Sequence, residues 1–207
     1  MKTILFQGDS ITDCGRARDR DTFRGVGYPA LVTAKLNYEY PGEYHVINRG
    51  VSGNRIVDLY ARVKKDIINL APDYMSILIG LNDVWHEVDE KNGVDAEKFE
   101  KIYDMLITEI KEALPDLKII IMAPYVTKGS ATEATWDYFS GEVAKREKAA
   151  ERIAKKHNLK FVTTQDKFDE MLKKHPEPYW TQEGVHPTEA GHALLAGLWL
   201  SAFEEIK

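Results

Sequence analysis

An apolar stretch from Lys2 to Gln7 runs directly into Gly8-Asp9-Ser10-Ile11-Thr12. A serine at the end of a buried strand, following a glycine that lets the chain turn sharply, can be exposed as a nucleophile. The same trio serves equally well as a turn or a helix cap, because Ser and Asp favour both. Near the other end of the chain, in Glu183-Gly184-Val185-His186-Pro187, an acid precedes a histidine by three positions. In such a turn the carboxylate can fix the imidazole tautomer through one ring nitrogen while the other nitrogen faces a serine, the nucleophile-base-orienter arrangement of acyl transfer. Two further segments, Asn48-Arg49-Gly50-Val51-Ser52-Gly53-Asn54 and Gly80-Leu81-Asn82-Asp83, offer donors for the charge of a tetrahedral intermediate. A glycine exposes its backbone N–H without side-chain obstruction, and an asparagine carboxamide can aim a second donor at the same point.

These segments act together only if the fold carries them to one edge. Five short runs rich in β-branched or apolar residues, Lys2–Gln7, Tyr44–Asn48, Tyr74–Ile79, Lys118–Ala123 and Lys160–Thr163, are each bounded by Gly, Pro, Asp or Asn and read as buried strands. Helical spacing is clearest from Asp95 to Leu114, where Phe99, Ile102, Tyr103, Leu106, Ile110 and Leu114 share one face and Pro115 follows the expected stop. Weaker helical patterns cover Tyr28–Tyr38, Ile56–Leu70, Glu142–His157 and Thr188–Ile206, while Val126–Tyr138 is the longest irregular stretch. Alternating strands and helices predict an α/β fold, a three-layer α/β/α domain over residues 1–207 with a five-stranded, mostly parallel sheet. In open parallel sheets functional groups gather at the carboxyl ends of the strands, here the loops from Gly8, Arg49, Gly80, Pro124 and Thr164.

Composition narrows the classes of function. The 207 residues carry 28 Lys+Arg against 33 Asp+Glu, a net charge of −5, with no excess to hold nucleic acid or an anionic membrane. The one cysteine, Cys14, makes neither an intrachain disulfide nor a Cys-rich zinc site, and His86-Glu87 lacks the second histidine of the metalloprotease spacing. No metal or cofactor is expected. No run approaches ~20 apolar residues, so the expectation is a soluble cytoplasmic protein.

Taken together and in order, the four blocks resemble those of the SGNH hydrolases, also called the GDSL esterase/lipase family: a GDS block, a glycine block, a GxND block and a DxxH block. The resemblance spans Gly8 to His186. It implies a flavodoxin-like sheet and metal-free ester hydrolysis, with Ser10 as nucleophile and first oxyanion donor through its N–H, Gly53 and Asn82 as the other donors, and His186 as general base. The family's acid is normally aspartate, and the matching position here is Glu183, longer by roughly one C–C bond of ~1.5 Å. The stretches Gly8–Arg16 and Ile79–Trp85 are similar to the xylan acetylesterase branch, which implies removal of O-acetyl groups from xylose units, often inside the cell, and a possible homo-oligomer. Asp9 beside the serine and the aromatics Trp85, Trp136 and Trp180 are the candidate substrate contacts, since flat rings stack on sugar faces. The polar run Thr127–Glu133 lacks the apolar lid of a lipase and favours a small acyl group. Alternatives are a thioesterase or lysophospholipase of the same family, or a carbohydrate-binding protein that lost catalysis when the acid changed.

Overall fold

A computed structural model describes residues 1–207 and places five parallel strands in one sheet, in the order β2-β1-β3-β4-β5. The strands are β1 (Lys2–Gly8), β2 (Tyr44–Asn48), β3 (Tyr74–Leu78), β4 (Lys118–Met122) and β5 (Lys160–Val162). Register is continuous across the sheet, with Phe6 opposite both Asn48 and Ser76, and Ser76 opposite Ile120. The helices are α1 (Ser10–Asp13), α2 (Tyr28–Glu39), α3 (Ile56–Ala61), α4 (Val63–Asp66), α5 (Asn82–Glu90), α6 (Ala96–Ala113), α7 (Trp136–His157), α8 (Gln165–Leu172) and α9 (Glu189–Glu204).

The strands are apolar on both faces because both faces are covered. Leu5, Ile47, Met75, Ile77, Ile119 and Ile121 point into a cluster of 22 buried residues completed by α3, α4, α6 and α7. Ile4, Phe6, Val46, Tyr74, Leu78, Ile120 and Met122 point into a second cluster of 19, closed by α2, α8 and α9, where Trp199 is fully buried. A third cluster of six joins α5 and α7 to Val185, and so pins the His186 loop beside α5. The chain leaves β1 first toward β2 and then, through β3, toward the opposite edge. The connections therefore diverge between β1 and β3 and open a crevice at the carboxyl ends of these strands.

Several elements differ from the sequence expectation. The helical pattern Ile56–Leu70 breaks at Arg62 and Ile67 into α3, α4 and a 3-10 turn at Ile68–Leu70. The stretch Val126–Tyr138 is not irregular throughout, because α7 begins at Trp136, where Trp136, Phe139 and Val143 pack into the third cluster. Helices α1, α5 and α8 follow loops whose polar residues mask the helical period, and α5 contains one buried apolar residue, Val84. The long helix α6 matches expectation, with Asp95 accepting the Lys98 N–H at 2.8 Å as its cap. No helix is long and apolar enough to cross a membrane.

Candidate active site

Strand β1 ends at Gly8, whose φ of +156° and surroundings exclude a side chain: a Cβ there would lie 2.4 Å from the Leu78 carbonyl and from Thr12 Oγ1. The close approach lets Asp9 cap α1, its carboxylate accepting the Ile11 N–H at 3.0 Å, and leaves Ser10 as the first residue of the helix. Ser10 Oγ lies 2.8 Å from His186 Nε2 across 176 residues of sequence.

The imidazole is held from its other side. Glu183 Oε1 accepts from His186 Nδ1 and, at 3.3 Å, from the His186 backbone N–H. An ionised carboxylate only accepts, so Nδ1 carries the proton and Nε2 presents its lone pair to the Ser10 hydroxyl. The loop closes locally through the Gln182 N–H on the His186 carbonyl at 2.8 Å. It is buttressed by the polar segment after β4: Thr127 N–H donates to Gly184 O at 2.8 Å and Ala131 N–H to Glu183 O at 3.0 Å. Gly184, at φ +102°, has the Thr127 carbonyl within 2.6 Å of any Cβ. The run read from sequence for its lack of a lid thus fixes the backbone of the acid loop, a role no local signal announced.

Around the Ser10–His186 pair lies a cavity of about 280 Å³ lined by Ser10, Ser52, Gly53, Asn82, Trp85, His86, Asp89, Glu90 and His186. Five of these stand on α5 at positions 82, 85, 86, 89 and 90, one helical face. Sequence reasoning missed Ser52, on the glycine loop, and His86, Asp89 and Glu90, which the helical spacing from Asn82 and Trp85 would have found had α5 been recognised. Gly53, at φ +79°, has an amide without a backbone acceptor, and the Ser10 amide is an open donor at a helix start. Asn82 Nδ2 donates to Asn54 O at 3.2 Å, which spends one of its hydrogens and orients the carboxamide.

The other expected contacts divide. Trp85 borders the cavity, its ring centroid 5.9 Å from that of His186. Asp9 does not reach it: the side chain is 1% exposed and committed to the α1 cap, so the expectation of a substrate contact is corrected by its burial. Trp136 packs into the third cluster and faces a separate cavity of about 360 Å³ with Lys128 and Tyr138. Trp180 turns its Nε1–H to the His175 carbonyl at 3.1 Å and packs against the second cluster, away from the cavity wall. Arginines 16 and 18 donate to the Gly50 carbonyl at 2.7 and 3.0 Å, which clamps the glycine loop.

Two carboxyl groups beside the site are fully enclosed. Burial pushes both Asp9 and Asp83 up to about 7, opposed in each case by a backbone N–H, from Ile11 and Ile56 respectively. Asp83 accepts the Ile56 N–H at 3.1 and 3.2 Å and so ties the start of α3 to α5. Between about pH 4 and 7 the unfolded chain has released this proton and the folded chain retains it, so the Asp83 contribution to stability falls as pH rises through that window. Asp83→Asn keeps an acceptor for Ile56 and cannot ionise. Urea unfolding should show it gaining on wild type from pH 4.5 to pH 8, by about 3 kcal/mol. An unchanged difference between the two pH values would contradict this account of Asp83.

A serine and an imidazole meeting at the carboxyl edge of an all-parallel sheet, in the crevice between β1 and β3, place the molecule among three-layer α/β/α hydrolases. Residues 6–194 match the GDSL-like lipase/acylhydrolase family. The chain belongs to that family and is a carboxylic ester hydrolase. It is 38% identical over 209 residues to the acetylxylan esterase of Geobacillus stearothermophilus, covering 95% of this chain and 91% of that protein. The solved structure of that esterase, Axe2, superposes with a TM-score of 0.88 at 36% identity, covering 97% of this chain and 93% of the other. A structure named for a GDSL-like lipase of Parabacteroides merdae gives a TM-score of 0.90 at 34% identity over 98% of this chain and 95% of the other. Solved catalytic mutants of Axe2 replace a serine, a histidine, and an aspartate three positions before that histidine.

Proposed function

We propose that the protein removes O-acetyl groups from neutral xylo-oligosaccharides through an acetyl-enzyme formed on Ser10. The observation that carries the reading is the Ser10 Oγ to His186 Nε2 contact of 2.8 Å, with the Glu183 carboxylate on the opposite ring nitrogen. Ser10 Oγ attacks the acetyl carbonyl as His186 Nε2 takes its proton, and the oxyanion is met by the N–H groups of Ser10 and Gly53 and by Asn82 Nδ2. Collapse breaks the ester bond, and the imidazolium returns its proton to the departing sugar oxygen. Water then attacks the acetyl-enzyme with His186 again as base, releasing acetate and the free serine. Glu183 replaces the aspartate of the relative by folding back within its own i, i+3 turn, which absorbs the extra methylene.

The cavity supports a polar, neutral leaving group and a short acyl chain. Trp85 is its only large apolar wall, and neither Asp89 nor Glu90 is engaged in an ion pair with a Lys or Arg. Unpaired carboxylates accept hydrogen bonds from sugar hydroxyls, and the lining contains no Lys or Arg to pair with an anionic lipid headgroup. The match over residues 6–194 supports one hydrolase domain over 1–207. The resemblance to the xylan acetylesterase branch is what supports a cytoplasmic site of action on imported oligosaccharides, and a homo-oligomer.

With p-nitrophenyl esters, kcat/KM should fall by about 10-fold or more from acetyl to butanoyl and further to octanoyl, because a small pocket rejects added methylenes by overlap. Acetylated xylo-oligosaccharides should release acetate under the same conditions, followed by NMR. Faster turnover of the octanoyl ester would transfer the protein to the lipase or thioesterase reading.

A further inference from the structure

One half-buried side chain that touches neither nucleophile nor cavity is bonded to three of the segments that surround the oxyanion. Arg62 stands at the break between α3 and α4, with φ −112° and ψ 12°, and its side chain is 15% exposed. Its Nε donates to Asn54 Oδ1 at 2.8 Å, its Nη1 to Arg49 O at 2.8 Å and to Asp66 Oδ2 at 3.2 Å, and its Nη2 to Gly8 O at 3.3 Å. Gly8 lies two residues before Ser10, and Arg49 and Asn54 bracket Gly53. The Asn54 carbonyl in turn accepts from Asn82 Nδ2 at 3.2 Å, so the residue Arg62 grips by its side chain aims the Asn82 carboxamide with its backbone. A further bond, Val51 N–H to Gly8 O at 3.0 Å, seams the glycine loop to the same carbonyl.

We propose that Arg62 is the positioning residue of the oxyanion hole, fixing the three donors of Ser10, Gly53 and Asn82 relative to one another. This rests on the assignment of those groups as the donors. The chemistry requires arginine: three acceptors in different directions match a planar fork of fixed N–H vectors, whereas a lysine presents one nitrogen. Asp66 supplies the counter-charge that keeps the guanidinium in place. Arg16 donates to the carbonyls of Gly50 and Ala17, and Arg18 links Gly50 O to the Asp13 carboxylate of α1, but neither bonds to Asn54, the residue that orients Asn82. Donors aimed at a charge that exists only in the transition state act on kcat, so misaiming them leaves substrate binding nearly untouched.

The test measures kcat, KM and pH profile for Arg62→Met, Arg62→Gln, Arg62→Lys, Asn82→Ala and the double variant Arg62→Met/Asn82→Ala, with p-nitrophenyl acetate and with each active-site concentration set by phosphonate titration. Leu36→Ala, a fully buried truncation in α2, serves as the stability control. Expected for Arg62→Met is a kcat loss of about 10- to 100-fold with KM within about twofold. The pH midpoint should stay in place because His186 is not touched, and Arg62→Lys should recover only part of the rate. The double variant should lose little more than Asn82→Ala alone, the mark of two residues acting through one donor. Leu36→Ala should unfold more readily yet keep the wild-type kcat. If Arg62→Met does not fold, Arg62→Gln, which retains part of the fork, carries the same comparison. Losses that add fully in the double variant, or a kcat per active site no lower than that of Leu36→Ala, would overturn the proposal alone. A wild-type kcat in Asn82→Ala would instead overturn the donor assignment, and this inference with it.

Discussion

Ser10→Ala should lose acetyl-ester turnover by about 10⁴- to 10⁶-fold while unfolding within ~1 kcal/mol of wild type. The size follows from chemistry: without Oγ there is no acetyl-enzyme, and what remains is the rate at which the donors and the cavity assist direct attack by water. The small effect on stability follows from the site. Ser10 is half-buried, its hydroxyl is bonded to a half-buried His186, and the cap of α1 comes from Asp9, which the substitution leaves alone. A serine-directed phosphonate should label wild type at Ser10 and leave the variant unlabelled. Near-wild-type turnover, with no loss of the label, would remove Ser10 from the chemistry.

Glu183 carries the second large effect. Glu183→Gln should cut kcat by about 10²- to 10⁴-fold with the fold intact, because an amide supplies no charge to the imidazolium and can hold the ring in the wrong tautomer. Glu183→Asp is the sharper experiment. The backbone at 183 and 184 is fixed by the N–H groups of Ala131 and Thr127, so it cannot advance to compensate for a carboxylate drawn back by ~1.5 Å. A loss of about 10- to 100-fold is expected, with charge retained but contact with Nδ1 weakened. Rates measured between pH 6 and 9 decide the matter: an unchanged kcat in Glu183→Gln would leave a Ser10–His186 dyad.

The relation of these residues to the sequence is uneven. Ser10 and Asn82 are legible because each lies two residues after a glycine that ends an apolar run, and His186 because an acid sits three residues before it. The aromatic residues are not. Trp85, Trp136 and Trp180 look alike as candidates, yet only Trp85 lies on the helical face that borders Ser10. Trp136 is drawn into the third cluster by Phe139 and Val143, and Trp180 is held by His175. Asp9 is ambiguous for a related reason: cap and substrate contact call for the same side chain, and only burial separates them.

The sequence by itself determined the five strands, the helices long enough to display a 3.6-residue period, and the order of the four chemical blocks, because strand patterning, turn residues and caps are written over a few neighbouring positions. Tertiary structure decided everything that depends on where distant segments meet. It placed the strand order that opens the crevice at β1 and β3, brought His186 to Ser10 across 176 positions, and let the longer Glu183 fit by bracing its loop from residues 127 to 131. It also gathered Gly8, Arg49 and Asn54 onto Arg62, a residue whose sequence context is only that of a charged helix position. The physical reason is the same in each case: a hydrogen bond between segments is fixed by the path of the backbone through the packed core, and no local period records that path.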